Sequence, residues 1–228
     1  MYHGGVALPC GEPKIIPDAD GIRVHRNPRV APREAPYGSA RGRILDHAGF
    51  VAAEEEILSW PNHAETPLHR LPRLAARSGV AAIRYKDECG RFGLGSFKAL
   101  GGAYAVFRLL KRTIESRNRG QGVTTHGGAK GVDSRQLIEG RWRDISQTVT
   151  VTCATDGNHG RSVAWSARLF GCRCVIYVHQ AVSEARCVAI AQYGAEVIRV
   201  PGNYDDAVRH AADAAREHGW TVVSDTSY

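Results

Sequence analysis

The sequence predicts an α/β protein built on a doubly wound parallel sheet with flanking helices. Over residues 148–223, short β-branched runs alternate with longer helical patterns, and most of those patterns stop at a glycine. Strand–helix units of this length need right-handed crossovers, which place helices on both faces of a parallel sheet. Because ligands bind beyond the carboxyl ends of the strands in such sheets, we expect functional residues at those ends.

Composition and charge narrow the possible functions. The chain has 228 residues and a formal net charge of +7, but its arginines are dispersed and no aromatic residues interleave with them. Nucleic acid binding is therefore not predicted, and an anionic substrate or cofactor would suit the same charge. Six cysteines match no disulfide framework or zinc module, so no metal site is predicted. No apolar run approaches a membrane span and no signal peptide is evident, so we expect a cytoplasmic protein.

The N-terminal half is less regular than the rest. Residues 1–45 are rich in proline, glycine and arginine and predict an extended arm, because repeated prolines interrupt any helix. Residues 46–228 form the predicted α/β domain. The pattern predicts helices over 46–60, 71–78 and 99–117, with a strand over 81–86. Residues 118–147 alternate glycines with charges and predict a surface insertion with a short helix near 134–139.

The regular alternation then follows. We predict strands over 148–153, 173–178, 196–200 and 221–223, and helices over 158–170, 183–193 and 204–218.

A lysine turn lies between the strand over 81–86 and the helix over 99–117. Residues 93–102 read Gly-Leu-Gly-Ser-Phe-Lys-Ala-Leu-Gly-Gly and place Lys98 just before an apolar helix. A lysine held in a tight, partly dry turn can serve as a nucleophilic amine. The alternative, a loop lysine that packs or forms an ion pair, stays open on this segment alone.

A second turn follows the strand over 148–153. Residues 154–161 read Ala-Thr-Asp-Gly-Asn-His-Gly-Arg. Gly157 lets the backbone approach a ligand, and the start of the next helix offers N–H groups for a carboxylate. Asn158 can hydrogen-bond a ring substituent, and His159 can stack, titrate or simply pack. A carboxylate beside an anion site suggests proton transfer for Asp156, although it could instead cap the helix.

The carboxyl ends of the predicted strands should bring three charged residues together. Lys98 and Asp156 follow the first two strands in this set, and Asp225 follows the last. An aspartate after a strand is common in turns, so Asp225 alone is a weak signal. The phosphate loops of dinucleotide-binding and P-loop proteins are absent from the sequence, which disfavours a nucleotide-binding domain.

The two turns together resemble a known family. Ser96-Phe97-Lys98 with Gly101-Gly102, followed by residues 156–160, is similar to the pyridoxal-phosphate enzymes of fold type II, which include the tryptophan synthase β-chain and threonine dehydratase. The longer strings 91–104, 154–161, 203–206 and 225–226 resemble the diaminopropionate ammonia-lyases. The resemblance runs from about Thr66 to the end of the chain.

The resemblance implies which residues bind the cofactor and the substrate carboxylate. Lys98 would join covalently to pyridoxal 5'-phosphate, Phe97 would lie against it, and Asn158 would hydrogen-bond its ring oxygen. The turn formed by Thr155, Gly157, Asn158 and His159 would hold the carboxylate of a small amino-acid substrate.

The resemblance also implies the catalytic residues. Lys98 would take the α-proton of L-2,3-diaminopropionate, and Asp156 would take that of the D isomer from the opposite face. Asp225 would contact the substrate amine or assist Asp156. The products would be pyruvate and ammonia. The alternatives are a serine/threonine dehydratase-like lyase, which Asp156 disfavours, and a non-catalytic truncated paralogue that binds a partner.

One departure from the family bears on activity. Members of the family continue into a further segment with the glycine-rich loop that cradles the cofactor phosphate, whereas this sequence stops at Tyr228. We therefore expect an incomplete second domain, weak cofactor binding and impaired turnover in the 228-residue chain. The resemblance implies a homodimer, and the missing segment suggests a complementing C-terminal chain as the other possible partner.

Overall fold

The computed structural model describes residues 15–17, 23–25, 27–30, 32, 34–120 and 131–225, which fall into two compact units, 1–47 and 48–228. In the first unit, strands β1 (Ile15–Pro17) and β2 (Arg23–His25) form an antiparallel pair. A short helix, α1, spans Gly38–Gly42 within the segment that we predicted to be extended. Other parts of the predicted arm, including 1–14 and 18–22, lie outside the described residues.

The second unit contains the remaining elements. Its helices are α2 (His47–Leu58, which begins at the boundary), α3 (Pro72–Arg77), α4 (Lys98–Gly120), α5 (Ser134–Ile138), α6 (Arg143–Ser146), α7 (Asn158–Phe170), α8 (Glu184–Ala191) and α9 (Tyr204–His218). Its strands are β3 (Leu68–Arg70), β4 (Arg84–Lys86), β5 (Thr150–Ala154), β6 (Arg173–His179), β7 (Glu196–Val200) and β8 (Thr221–Val222). In the described part of the chain, no helix has the length and apolar character needed to cross a bilayer.

The predicted α/β fold with a parallel sheet is confirmed. Strands β5 to β8 form a parallel sheet in the order β7-β6-β5-β8. The side chains of β6 alternate between two apolar clusters: Ile176 packs with residues of α4 and α7, whereas Val175 and Tyr177 pack with α9. Because both faces of the sheet are covered by helices, its inner strands read as nearly continuous apolar runs.

The strand before the lysine turn does not belong to this sheet. β4 pairs antiparallel with β3, with Leu68 opposite Lys86, in a separate two-stranded sheet. The expectation that Lys98 follows a strand of the parallel sheet is therefore wrong. Lys98 is instead the first residue of α4, and it reaches the sheet edge because α4 packs along α7.

Part of the predicted surface insertion is packed. The predicted helix near 134–139 is present as α5, and Asp133 caps it by accepting a hydrogen bond from the Gln136 N–H. Leu137 and Ile145 are buried in the main apolar cluster, so residues 131–147 contribute to the core rather than forming a loose surface loop. The rest of the predicted insertion, at 121–130, lies outside the described residues.

Candidate active site

The position of Lys98 is fixed by close packing of α4 against α7. Ser162 Oγ, on α7, donates a hydrogen bond to the Lys98 carbonyl at 2.9 Å. The helices approach closely because Gly102 has no side chain: a Cβ there would clash with Ser162 Oγ and lie 3.3 Å from Ser162 Cβ. Gly102 thus brings the start of α4 to the carboxyl end of the sheet.

Lys98 forms an ion pair with Asp225. Its Nζ lies 2.6 Å from Asp225 Oδ2, and both side chains are partly exposed. His159 Nδ1 lies 3.7 Å from the same oxygen. The His159 ring is buried and its Nε2 is 2.7 Å from the Val223 carbonyl, to which it donates a hydrogen bond. The sequence left open whether His159 stacks, titrates or packs, and its buried position matches packing. Its hydrogen bond to Val223 joins α7 to the chain just before Asp225.

Several opposing effects determine the pKa of Asp225. Partial burial raises that pKa, whereas the hydrogen bond from Lys98 and the charges of His159 and Lys98 lower it. The lowering effects prevail, so the pKa lies below its ordinary value and Asp225 is a carboxylate at neutral pH. A carboxylate that is ionised at neutral pH holds the lysine amine at one place.

The second turn is built around Thr155. Its hydroxyl oxygen accepts hydrogen bonds from the N–H groups of Gly157 and Gly160, both at 3.0 Å. A side chain on Gly160 would clash with the buried Thr155, so this position requires glycine. Within the described residues, no group accepts a hydrogen bond from the backbone N–H of Asn158 or of His159. Those two donors at the start of α7 can bind an anion.

Asp156 does not cap α7. The N-cap of this helix is Gly157 and no side chain makes a capping hydrogen bond, so the capping alternative is wrong. The side chain of Asp156 is 59% exposed, and its Oδ1 lies 3.0 Å from Nε2 of His179, the last residue of β6.

One cavity of 570 Å³ collects nearly all the predicted site residues. Its walls include the charged trio Lys98, Asp156 and Asp225, and the turn residues Thr155, Gly157, Asn158 and His159. Its volume lies within the range of small-molecule sites. Phe97 is not among the lining residues; its side chain is largely exposed and Lys98 Nζ lies 5.6 Å from its ring centroid.

The sequence reasoning did not single out three other lining residues, Arg161, Arg186 and Tyr204. Each lies in the first turn of a crossover helix, where side chains reach the carboxyl edge of a parallel sheet. The sequence could have indicated these residues, because the starts of the three helices were predicted from it. Arg161 also donates to the Leu94 carbonyl at 3.2 Å, which joins α7 to the lysine turn.

The lining residues fit a cofactor of the pyridoxal-phosphate kind. Such a cofactor needs a primary amine for its aldehyde, and Lys98 places one on the cavity wall. The accessible N–H groups at the start of α7 suit a carboxylate in the same cavity. Asn158 is exposed at the start of α7, where its amide is available to a ring oxygen.

Comparison with known proteins agrees with this geometry. Residues 60–227 match the family described as pyridoxal-phosphate dependent enzyme. The chain is 40% identical over 168 residues to the diaminopropionate ammonia-lyase of Salmonella typhimurium, which covers 74% of this chain and 39% of that protein. It is 31% identical over 121 residues to a probable D-serine dehydratase of Rhizobium etli, covering 53% of this chain and 25% of the relative.

A solved structure is similar as well. The crystal structure of diaminopropionate ammonia-lyase from Escherichia coli in complex with D-serine superposes with a TM-score of 0.65 and 37% identity, over 77% of this chain and 41% of that one. The chain spans about two fifths of the length of the curated ammonia-lyases that it matches.

Proposed function

Because the chain belongs to the family of pyridoxal-phosphate dependent enzymes, we propose that its residues form the lysine-bearing part of a carbon–nitrogen lyase acting on 2,3-diaminopropionate. One observation carries the proposal: a single cavity is lined by a lysine amine and by two carboxylates, Asp156 and Asp225, beside an anion-binding turn. The similarity to two curated diaminopropionate ammonia-lyases supports the choice of substrate.

Particular residues would hold the cofactor and the substrate. Lys98 would hold pyridoxal phosphate covalently through Nζ, and Asn158 would hydrogen-bond its ring oxygen. The N–H groups of Asn158 and His159 would bind the substrate carboxylate. When bound, the cofactor supplies an electron sink for the α-carbon.

Proton transfer would be divided between two bases. Lys98 Nζ would accept the α-proton of the L isomer, and the Asp156 carboxylate would accept that of the D isomer. Asp225 stays ionised and holds Lys98 Nζ at 2.6 Å, so it would position the amine for this step. The overall reaction consumes one water and releases pyruvate and both nitrogens as ammonia.

A serine/threonine dehydratase-like lyase is the second candidate, because the chain is 31% identical to a probable D-serine dehydratase over about half its length. The two candidates share Lys98 but differ in the leaving group, which is ammonia in one case and water in the other. A homodimer, or assembly with a complementing chain, is proposed from the family resemblance, and light scattering would test it.

Pyruvate release tests both candidates. The chain is incubated with pyridoxal phosphate and, separately, with each isomer of diaminopropionate and of serine, and pyruvate is measured with a coupled dehydrogenase. We expect Lys98→Ala to abolish turnover of both diaminopropionate isomers and Asp156→Ala to impair the D isomer selectively. Asp213→Ala, at an exposed position on α9, is the control and should change neither.

Three outcomes would contradict the proposal. Turnover of serine without turnover of diaminopropionate would favour the second candidate. Undiminished pyruvate release by Lys98→Ala would remove the lysine from the reaction. Because impaired turnover is expected of the 228-residue chain, slow pyruvate release agrees with the proposal, whereas the absence of any cofactor adduct on Lys98 would favour a non-catalytic, partner-binding module.

A further inference from the structure

The Asp156 carboxylate needs an external support. Its side chain is 59% exposed and makes no capping bond to α7, so on its own it would sample several rotamers. Within the described residues, the polar side chain beside it is His179, whose Nε2 lies 3.0 Å from Asp156 Oδ1.

The imidazole of His179 is itself held firmly. His179 ends β6, pairs in register with Val200, and accepts a hydrogen bond from the Val182 N–H at 3.1 Å through its carbonyl. The Ala181 N–H donates to ring Nδ1 at 3.3 Å within the same tight turn. The side chain is only 19% exposed, so the turn fixes the ring while Asp156 faces solvent.

These contacts identify the tautomer. A ring nitrogen that accepts a hydrogen bond from a backbone N–H carries no proton of its own. With Nδ1 as acceptor, the neutral ring carries its proton on Nε2, which faces Asp156. The Nε2–H group of His179 therefore lies beside the carboxylate, 3.0 Å from Oδ1, while the Nδ1 lone pair accepts the hydrogen bond from the Ala181 N–H.

We propose that His179 is a positioning residue that holds Asp156 for proton transfer from the D isomer; this rests on the proposed function. The two bases then have separate supports, because Asp225 holds Lys98 and His179 holds Asp156. Loss of His179 should therefore impair the D isomer and spare the L isomer.

A pair of variants of similar length isolates the polar contact between His179 and Asp156. His179→Gln can keep a donor nitrogen near the position of Nε2, whereas His179→Met fills similar space without a donor. We expect His179→Met to lower kcat for the D isomer about ten- to a hundredfold, the effect of losing one polar contact to a charged group. Turnover of the L isomer should stay within about twofold, and His179→Gln should recover most of the D activity.

Equal losses on both isomers would overturn the proposal, as would equal D activity in His179→Met and His179→Gln. Either result would indicate that His179 acts only through the stability of the turn.

A second measurement does not depend on turnover. Long-range proton–nitrogen NMR spectra of the cofactor-free chain should show His179 with its proton on Nε2, and that proton should exchange faster with water in Asp156→Ala. A proton on Nδ1, or an exchange rate unaffected by Asp156→Ala, would refute the contact. If the unsubstituted chain formed no cofactor adduct on Lys98, the proposed function would fail, and the spectra would still decide whether His179 holds Asp156.

Discussion

Two adjacent glycines near the start of α4 should respond in opposite ways to alanine. An added Cβ on Gly101 meets no atom within 4 Å, so Gly101→Ala should stabilise the protein by about 0.5–1 kcal/mol, because glycine is a poor helix former. An added Cβ on Gly102 clashes with Ser162 Oγ on α7. Gly102→Ala should therefore destabilise the protein and displace Lys98.

The size of the second effect follows from the contacts. Overpacking a buried helix contact costs roughly 1–3 kcal/mol. Rotation of Ser162 away from the new methyl group also breaks its 2.9 Å hydrogen bond to the Lys98 carbonyl, at a cost of about 1 kcal/mol. Better helix propensity offsets about 1 kcal/mol of this. The net destabilisation by Gly102→Ala is thus about 1–3 kcal/mol, and the two adjacent variants should differ by about 1.5–4 kcal/mol.

Urea unfolding followed by circular dichroism measures both variants against the unsubstituted chain. Adding Ser162→Ala to Gly102→Ala removes the clashing hydroxyl, so the double variant should be more stable than the sum of the single effects by about 1 kcal/mol. Similar shifts for Gly101→Ala and Gly102→Ala, or strict additivity with Ser162→Ala, would refute the packing that we describe between α4 and α7.

Two further predictions concern stability. The hydrogen bond from Arg91 holds the pKa of Glu88 at about 2 instead of 4.5, against the opposing effect of burial. Because this pKa is lowered on folding, the stabilisation is complete above about pH 4.5 and is lost as the pH falls towards 2. Glu88→Gln should lower the free energy of unfolding by roughly 1–3 kcal/mol at neutral pH, measured by urea unfolding. The control Glu184→Gln, at an exposed position, should leave that free energy unchanged. Asn203→Ala should lower the free energy of unfolding by about 1 kcal/mol in the same assay, because Asn203 forms a capping box at the start of α9. Asp213→Ala on the same helix should cost less than about 0.5 kcal/mol. Equal losses in the two variants would contradict the capping role.

Local signals predicted the elements of the sheet domain well. The predicted ends of α7 and α9 are correct because Gly171 and Gly219 stop these helices in the left-handed conformation, with φ of 78° and 69°. The assignment of β4 to the parallel sheet failed because strand pairing depends on distant partners. The surface insertion predicted over 118–147 was wrong for 131–147 for a related reason. The short helix near 134–139 is present, but glycines and charges did not indicate that Leu137 and Ile145 are buried in the core.

The sequence predicted those residues of the candidate site that follow the ends of parallel strands. Asp156 and Asp225 follow strands of the sheet and line the same cavity, as that rule predicts. Lys98 reaches the cavity through the packing of Gly102 on Ser162, a contact between two helices that no local pattern indicates. The contact between Asp156 and His179 depends on the geometry of a four-residue turn, which side-chain type alone does not specify.

The attachment point of the cofactor tests the central claim most directly. The chain is incubated with pyridoxal phosphate and reduced with borohydride, and its peptides are mapped by mass spectrometry. We predict one dominant adduct, on Lys98, that disappears in Lys98→Ala, while Lys86, whose Nζ donates to the Thr66 carbonyl, stays unmodified. Adducts spread evenly over the lysines, or an unchanged pattern in Lys98→Ala, would contradict the account.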